Sequence, residues 1–255
     1  MNNTYREFVA EFFGTMFILL FGNGVCAMNS LFNLGGYVNI TFGWGLGVLL
    51  GILISTRISG AHLNPAVTFA LIITRRFPIK KATHYIMAQM LGAFVGAALV
   101  YYFYQAKFMI VDPTLSHSAG IFTTFPAVPA FMPGFMSEII ATAILLFGIL
   151  AIVDHCTHDK ATWLAPFAVG LLIIGLGMSF GGMHGYAMNP ARDFSPRVLV
   201  TLLGFTDNGL SNGSMIWITG VFAPIIGGSV GAVLYDMTIG VKLIEPTEMN
   251  QRIID

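Results

Sequence analysis

Residues 12 to 56 form a run of 45 residues without a single Asp, Glu, Lys or Arg. Soluble domains carry about a quarter charged residues, so such a run cannot build a water-facing surface. About 20 apolar residues suffice to cross a hydrocarbon core of ~30 Å, and two spans fit here. Further charge-free stretches at 82–106, 139–153, 161–191 and 208–235 each give one span once their polar ends are trimmed. The six expected spans are 8–28, 40–59, 83–105, 135–153, 164–181 and 215–236. They are read as helices, because a backbone in lipid must satisfy its own polar groups. The runs are also about twice the length of a barrel strand and lack its alternation. The fold class is therefore an all-α membrane protein.

Composition narrows the function classes further. Twelve basic and twelve acidic side chains give zero net charge, with 9% of residues charged. A nucleic-acid partner needs a basic stripe, and scattered Lys and Arg supply none. Arg6, Arg57, Arg75, Arg76, Lys80, Lys81, Lys160, Lys242 and Arg252 fall on one side of the six spans, and Lys107, Arg192 and Arg197 on the other. The positive-inside rule then expects both termini in the cytosol. The first span reads as a retained helix rather than a signal peptide, since Arg6 is offset by Glu7 and Glu11 stands within it. Cys26 and Cys156 fall at opposite faces and are not expected to pair. The run 154–159, containing His155, Cys156 and His158, has metal-ligand residue types in a spacing that matches no standard site. It reads as a solvated cytosolic turn, with zinc as the alternative.

The chain repeats itself. Segment 11–15 (EFFGT) matches 138–142 (EIIAT), and 89–99 (QMLGAFVGAAL) lies over 224–234 (PIIGGSVGAVL), Gly92 on Gly227 and Gly96 on Gly231. Each half holds three spans, and an odd number of crossings turns one half upside down relative to the other. The expected layout is a single domain over 1–255, with repeat 1 at about 6–106, repeat 2 at about 134–240 and an outer loop at 107–133. Glycines four apart in both third spans permit close helix approach.

Between the second and third span of each half lies an element too short to cross. These are 60–73 (GAHLNPAVTFALII), with Asn64, Pro65 and Ala66, and 185–193 (GYAMNPARD), with Asn189, Pro190 and Ala191. Asn suits the cap and Pro the first position of a helix. About ten helical residues reach half of the core, so two half-helices from opposite faces are expected to meet at the midplane. Each Asn oxygen would cap its helix and leave the amide NH2 to donate outward to a neutral permeant. The positive helix ends would repel cations and protons.

On these residues the chain resembles the aquaporin and glycerol-facilitator family, whose hallmark is the pair of Asn-Pro-Ala boxes. The likeness covers roughly residues 6 to 240. It implies a right-handed bundle of six transmembrane helices with two half-membrane re-entrant helices, assembled as a homotetramer with one pore per subunit in a plasma membrane. It also implies an outer selectivity filter of Trp44, Gly177, Tyr186 and Arg192. Gly177, where water-selective members carry a bulky His, is expected to leave the filter open, with Trp44 and Tyr186 as an aromatic corner for a polyol's carbons and Arg192 as donor to its hydroxyls. Asp193, Arg197, Pro224 and Ile225, with loop residues 119–126, match the glycerol-conducting branch, while Tyr186 departs from its usual Phe. Glu11 and Glu138, the acids inside spans, are implied as buried braces for the box loops. His62 and His184, ahead of the boxes, are candidates for gating by protonation or for loop packing.

The expected function is passive passage of glycerol and other small neutral solutes, with some water, through the lipid bilayer, without enzymatic chemistry or a cofactor. A mainly water-selective channel is one alternative. A channel for small neutral acids, dihydroxyacetone, urea or peroxide is another, and a proton-coupled carrier a third.

Overall fold

The computed structural model describes residues 3–240; Lys242 and Arg252, both used in the orientation argument, lie outside the described residues. The helices are α1 (Asn3–Phe32), α2 (Tyr37–Ser59), α3 (Pro65–Ile73), α4 (Ala82–Val111), α5 (Phe131–His158), α6 (Ala165–Phe180), α7 (Pro190–Leu202) and α8 (Trp217–Tyr235). With their flanking turns, α1, α2, α4, α5, α6 and α8 are long and apolar enough to cross a membrane. Each half has the same order of two long helices, one short helix and one long helix.

Three helices overrun their expected ends. α1 and α4 have 30 residues and α5 has 28, or about 42–45 Å at 1.5 Å per residue. Helical hydrogen bonding does not stop where lipid stops, and from 149 to 165 there is no Gly or Pro to break α5. His155, Cys156 and His158 therefore lie in the last turn of α5, correcting the expected turn. Both histidines are exposed beside Asp159, at 3.4 Å and 3.0 Å, while Cys156 is buried. α7 has 13 residues rather than about ten, with Pro196 in its second turn.

The four repeat glycines determine how closely the helices pack. A Cβ on Gly92 would strike the backbone carbonyl of Phe12, and one on Gly96 that of Met16, so α4 packs its backbone directly on α1. Gly227 and Gly231 place α8 on the carbonyls of Ile139 and Ala143 of α5 in the same way. Without a hydrophobic driving force between helices in lipid, such backbone contact supplies dispersion attraction that larger side chains would prevent. The half-helices are held crosswise: α3 packs chiefly on α8, and α7 on α4.

Substituting Gly92 or Gly227 by Ala is expected to cost about 1–3 kcal/mol through overpacking, read as a lower melting temperature in detergent. Gly24→Ala, where a Cβ meets nothing within 4 Å, should stay within about 1 kcal/mol of the parent. Equal melting of all three variants would refute close backbone packing.

Candidate functional site

Asn64 and Asn189 are extended N-caps, with φ of −159° and −152°. Asn64 Oδ1 accepts from the Ala66 N–H at 2.8 Å, and Asn189 Oδ1 from Ala191 at 3.0 Å and Arg192 at 3.3 Å. Each Nδ2 then donates across to the other loop, Asn64 to the Met188 carbonyl at 2.8 Å and Asn189 to the Leu63 carbonyl at 2.9 Å. The two helix N-termini thus meet. One amide proton of each Asn ties the loops together, so one rather than two is left to donate outward.

The segments entering the caps share an unusual backbone. Gly60, Ala61 and Leu63 have positive φ, as do Gly185, Tyr186 and Met188 at the equivalent positions. Non-glycine residues in this region cost on the order of 1–3 kcal/mol each, so something must hold them. Glu11 accepts from the His62 N–H at 2.9 Å and the Leu63 N–H at 2.7 Å. Glu138 accepts from Ala187 at 2.8 Å and Met188 at 3.0 Å, one repeat later in the same register. Ser59 and Gln89 donate to Glu11 as well. With the N–H groups drawn back to the carboxylates, the carbonyls of 60–62 and 185–187 accept no hydrogen bond among the described residues.

A cavity of about 220 Å³ runs past both Asn residues, from Arg76 and Asp154 at one end to Trp44, Tyr186 and Arg192 at the other. Ile18, Val48, Ile52, Leu145, Ile149 and Ile173 line it with apolar side chains, and the box-loop segments Gly60 to Asn64 and Tyr186 to Asn189 line it as well. The lumen is therefore amphipathic along its length.

Trp44, Gly177, Tyr186 and Arg192 do come together, although their packing differs from the expected corner. A Cβ on Gly177 would lie 2.9 Å from the Thr41 methyl and 3.0 Å from Tyr186 Cζ. The Tyr186 ring therefore fills the space that Gly177 vacates, and Gly177 does not open the filter by itself. Tyr37 donates to the Gly177 carbonyl at 2.9 Å and lies over Gly181, so two glycines a turn apart form the groove that seats these tyrosines. Tyr186 Oη is buried with no hydrogen-bond partner among the described residues. The Arg192 guanidinium stacks 4.0 Å from the Trp44 ring centroid, covering a face expected to be free for a polyol. Arg192 also donates to the Phe122 carbonyl at 3.4 Å.

Asp193 and Arg197 form a fully buried ion pair. Asp193 accepts the Thr124 N–H and hydroxyl, both at 2.7 Å, and Arg197 donates to the Thr124 carbonyl at 2.6 Å and the Asn208 carbonyl at 2.9 Å. This pair clamps the outer loop beside the filter, and a Cβ on Gly220 would strike Asp193. Pro224 is buried inside α8 and Ile225 half-buried next to it.

The two histidines are not equivalent. His62 lines the cavity, with Nδ1 3.1 Å from the Thr68 hydroxyl. That hydroxyl donates to the Asn64 carbonyl, so the network assigns a proton to His62 Nδ1. His184 is packed beneath Thr124 at 3.3 Å and 3.7 Å from Glu138. Ser59, Gln89, Tyr37 and Thr124 were not singled out as site residues. Thr124 lies in the 119–126 loop, and Gln89 opens the repeated 89–99 segment, so both had a sequence signal; Tyr37 had none.

Residues 1–235 match the family described as major intrinsic protein. The chain is 42% identical over 233 residues to the glycerol uptake facilitator protein of Bacillus subtilis (strain 168), which covers 90% of this chain and 83% of that one. It is also 42% identical to the probable glycerol uptake facilitator protein of Thermotoga maritima, over 90% of this chain and 97% of that one. The aquaglyceroporin from Plasmodium falciparum has a solved structure that superposes with a TM-score of 0.84 at 33% identity, covering 94% of this chain and 98% of that one. With paired boxes meeting cap to cap in a lumen, and a match that spans nearly the whole sequence, the chain belongs to the major intrinsic protein family.

Proposed function

We propose that the protein is a passive channel for glycerol and other small neutral solutes, with some water permeability, that excludes ions and protons. The observation that carries this reading is the amphipathic lumen crossed at its centre by two opposed helix N-termini. A polyol presents hydroxyls on one side and C–H groups on the other. Loop carbonyls, Asn amides and Arg192 would serve the first, and the aliphatic wall the second. A cation meets about half a positive charge from each helix end. At ~5 Å and an effective dielectric of ~20 that is roughly 3 kcal/mol, about a hundredfold, before Arg192 or lost hydration is counted. The names of the relatives support the same substrate class.

Function as a channel without enzymatic chemistry or cofactor follows from this reading. To it we add, from the family resemblance, a homotetramer with one pore per subunit in a plasma membrane, from the distribution of Lys and Arg, cytosolic termini, and from the matched segments, one domain over 1–255 built from repeats at about 6–106 and 134–240. The Asn-Pro-Ala boxes are proposed as the central station, Trp44, Gly177, Tyr186 and Arg192 as the filter, and Glu11 and Glu138 as braces. Both carboxylates already hold loop N–H groups, which argues against proton carriage. A mainly water-conducting channel is the second reading, favoured by the Arg192 guanidinium lying over Trp44.

Stopped-flow light scattering on proteoliposomes, with water, glycerol and a longer polyol, tests the proposal. Fast glycerol entry that ignores a pH gradient is expected; fast water with negligible glycerol would replace the first reading by the second. Arg192→Val should raise proton or cation leak at least tenfold, and an unchanged leak would count against a field barrier there. Tyr186→Phe, which removes the unpartnered hydroxyl, should hold or raise stability and leave glycerol flux within about twofold; a large fall would mean that the hydroxyl serves the permeant. Glu138→Gln can accept only one of the two loop N–H groups, so about 1–3 kcal/mol of stability should go. Remaining uptake should stay independent of pH gradient, whereas loss of a gradient-driven component would identify a carrier.

A further inference from the structure

α3 ends in a Schellman arrangement: the Arg75 N–H donates to the Ile72 carbonyl and the Arg76 N–H to the Leu71 carbonyl. The residue one past such a cap adopts left-handed backbone and is usually Gly. Here it is Arg75, with φ of 59°. A strained arginine where glycine would fit freely directs attention to what its side chain meets. Arg75 lines a surface groove with Ile72, Arg76, Phe77, Pro78 and Ile79, and Lys80 follows in the next turn.

The four cations of this segment divide into two kinds. Arg76 is held by Asp154 and Asp236, and Lys81 by Glu7. Arg75 and Lys80 are exposed and make no ion pair or side-chain hydrogen bond among the described residues. Below them α3 presents an apolar stripe in which Phe69 is 36% exposed and Ile73 50%, and Ile79 is 71% exposed beside Lys80. The groove lies where α3 gives way to α4: Arg75 lines it, Lys80 follows its lining residue Ile79, and the exposed Ile73 and Phe69 precede it along α3.

We propose that this groove binds an anionic phospholipid, its phosphodiester between Arg75 and Lys80 and an acyl chain along Phe69, Ile73 and Ile79. The partner must be amphiphilic as well as anionic, because the stripe gives a free phosphate nothing to cover. Cations next to a membrane surface favour anionic lipid individually; the groove adds a fixed place for one molecule.

The test is native mass spectrometry of purified protein in detergent supplemented with phosphatidylglycerol or phosphatidylcholine. The parent should retain phosphatidylglycerol in preference, and Arg75→Gly and Lys80→Gln should each cut that preference several-fold, about tenfold together. Arg57→Gln, which removes an exposed cation at the end of α2, should leave it unchanged. Because Gly relieves the strained backbone, Arg75→Gly should melt at the parent's temperature or above, and glycerol flux should persist since neither residue lines the cavity. Equal retention of both lipids by the parent, or an undiminished preference in the double variant, overturns the proposal. So does an equal loss in Arg57→Gln, which would show diffuse surface charge, or full displacement of phosphatidylglycerol by millimolar inorganic phosphate, which would show a simple anion site.

Discussion

Two carboxylates gripping four backbone N–H groups make the rest of this structure possible. Irregular backbone at membrane depth is tolerated only where its polar groups find partners, and the loops before Asn64 and Asn189 have no strand or helix to supply them. Glu11 and Glu138 supply them from the first span of each half. Each carboxyl group offers an oxygen to each of its two loop donors, and a side chain without both oxygens would leave a buried N–H unmet. That grip holds the positive φ values of Ala61, Leu63, Tyr186 and Met188, and the carbonyls of 60–62 and 185–187 are left without a donor among the described residues.

The helix ends complete the electrostatics. Because the half-helices enter from opposite faces, the positive ends of both dipoles converge at one level, and no ionisable side chain is needed there. The reciprocal amide bonds of Asn64 and Asn189 fix that convergence to within hydrogen-bond tolerance. Nearer the filter, position is fixed differently. The buried Asp193–Arg197 pair ties Thr124 of the outer loop to α7, so the residue immediately after Arg192 is locked in place. A desolvated pair of this kind is justified less by stability than by fixing one arrangement.

Much of this was legible in one sequence. The spans followed from the missing charges, the half-helices from Asn-Pro at a cap, and the inverted halves from EFFGT and EIIAT. Those signals are local, or repeat themselves. What the sequence concealed depends on contacts between distant segments. Nothing in the residues around Tyr37 announces its bond to Gly177, 140 positions away. Likewise Gly177 alone suggests an open filter, and only the packing shows the Tyr186 ring in that space. The end of α5 was misplaced for a simpler reason: polar residues mark where lipid ends, and the helix continued beyond it.

The exchange of amide bonds between the two boxes also bears on how the chain is made. During synthesis the first half emerges before the second, and Glu11, Ser59 and Gln89, all within it, can settle its loop at once. The Asn64 amide cannot be satisfied until Met188 arrives, 124 residues later, and the Leu63 carbonyl must wait for Asn189. Until then the first half-helix would face either the insertion machinery or lipid with open polar groups. The first half thus holds every partner needed to brace its own loop, while the bonds that join this loop to its counterpart depend on the second half.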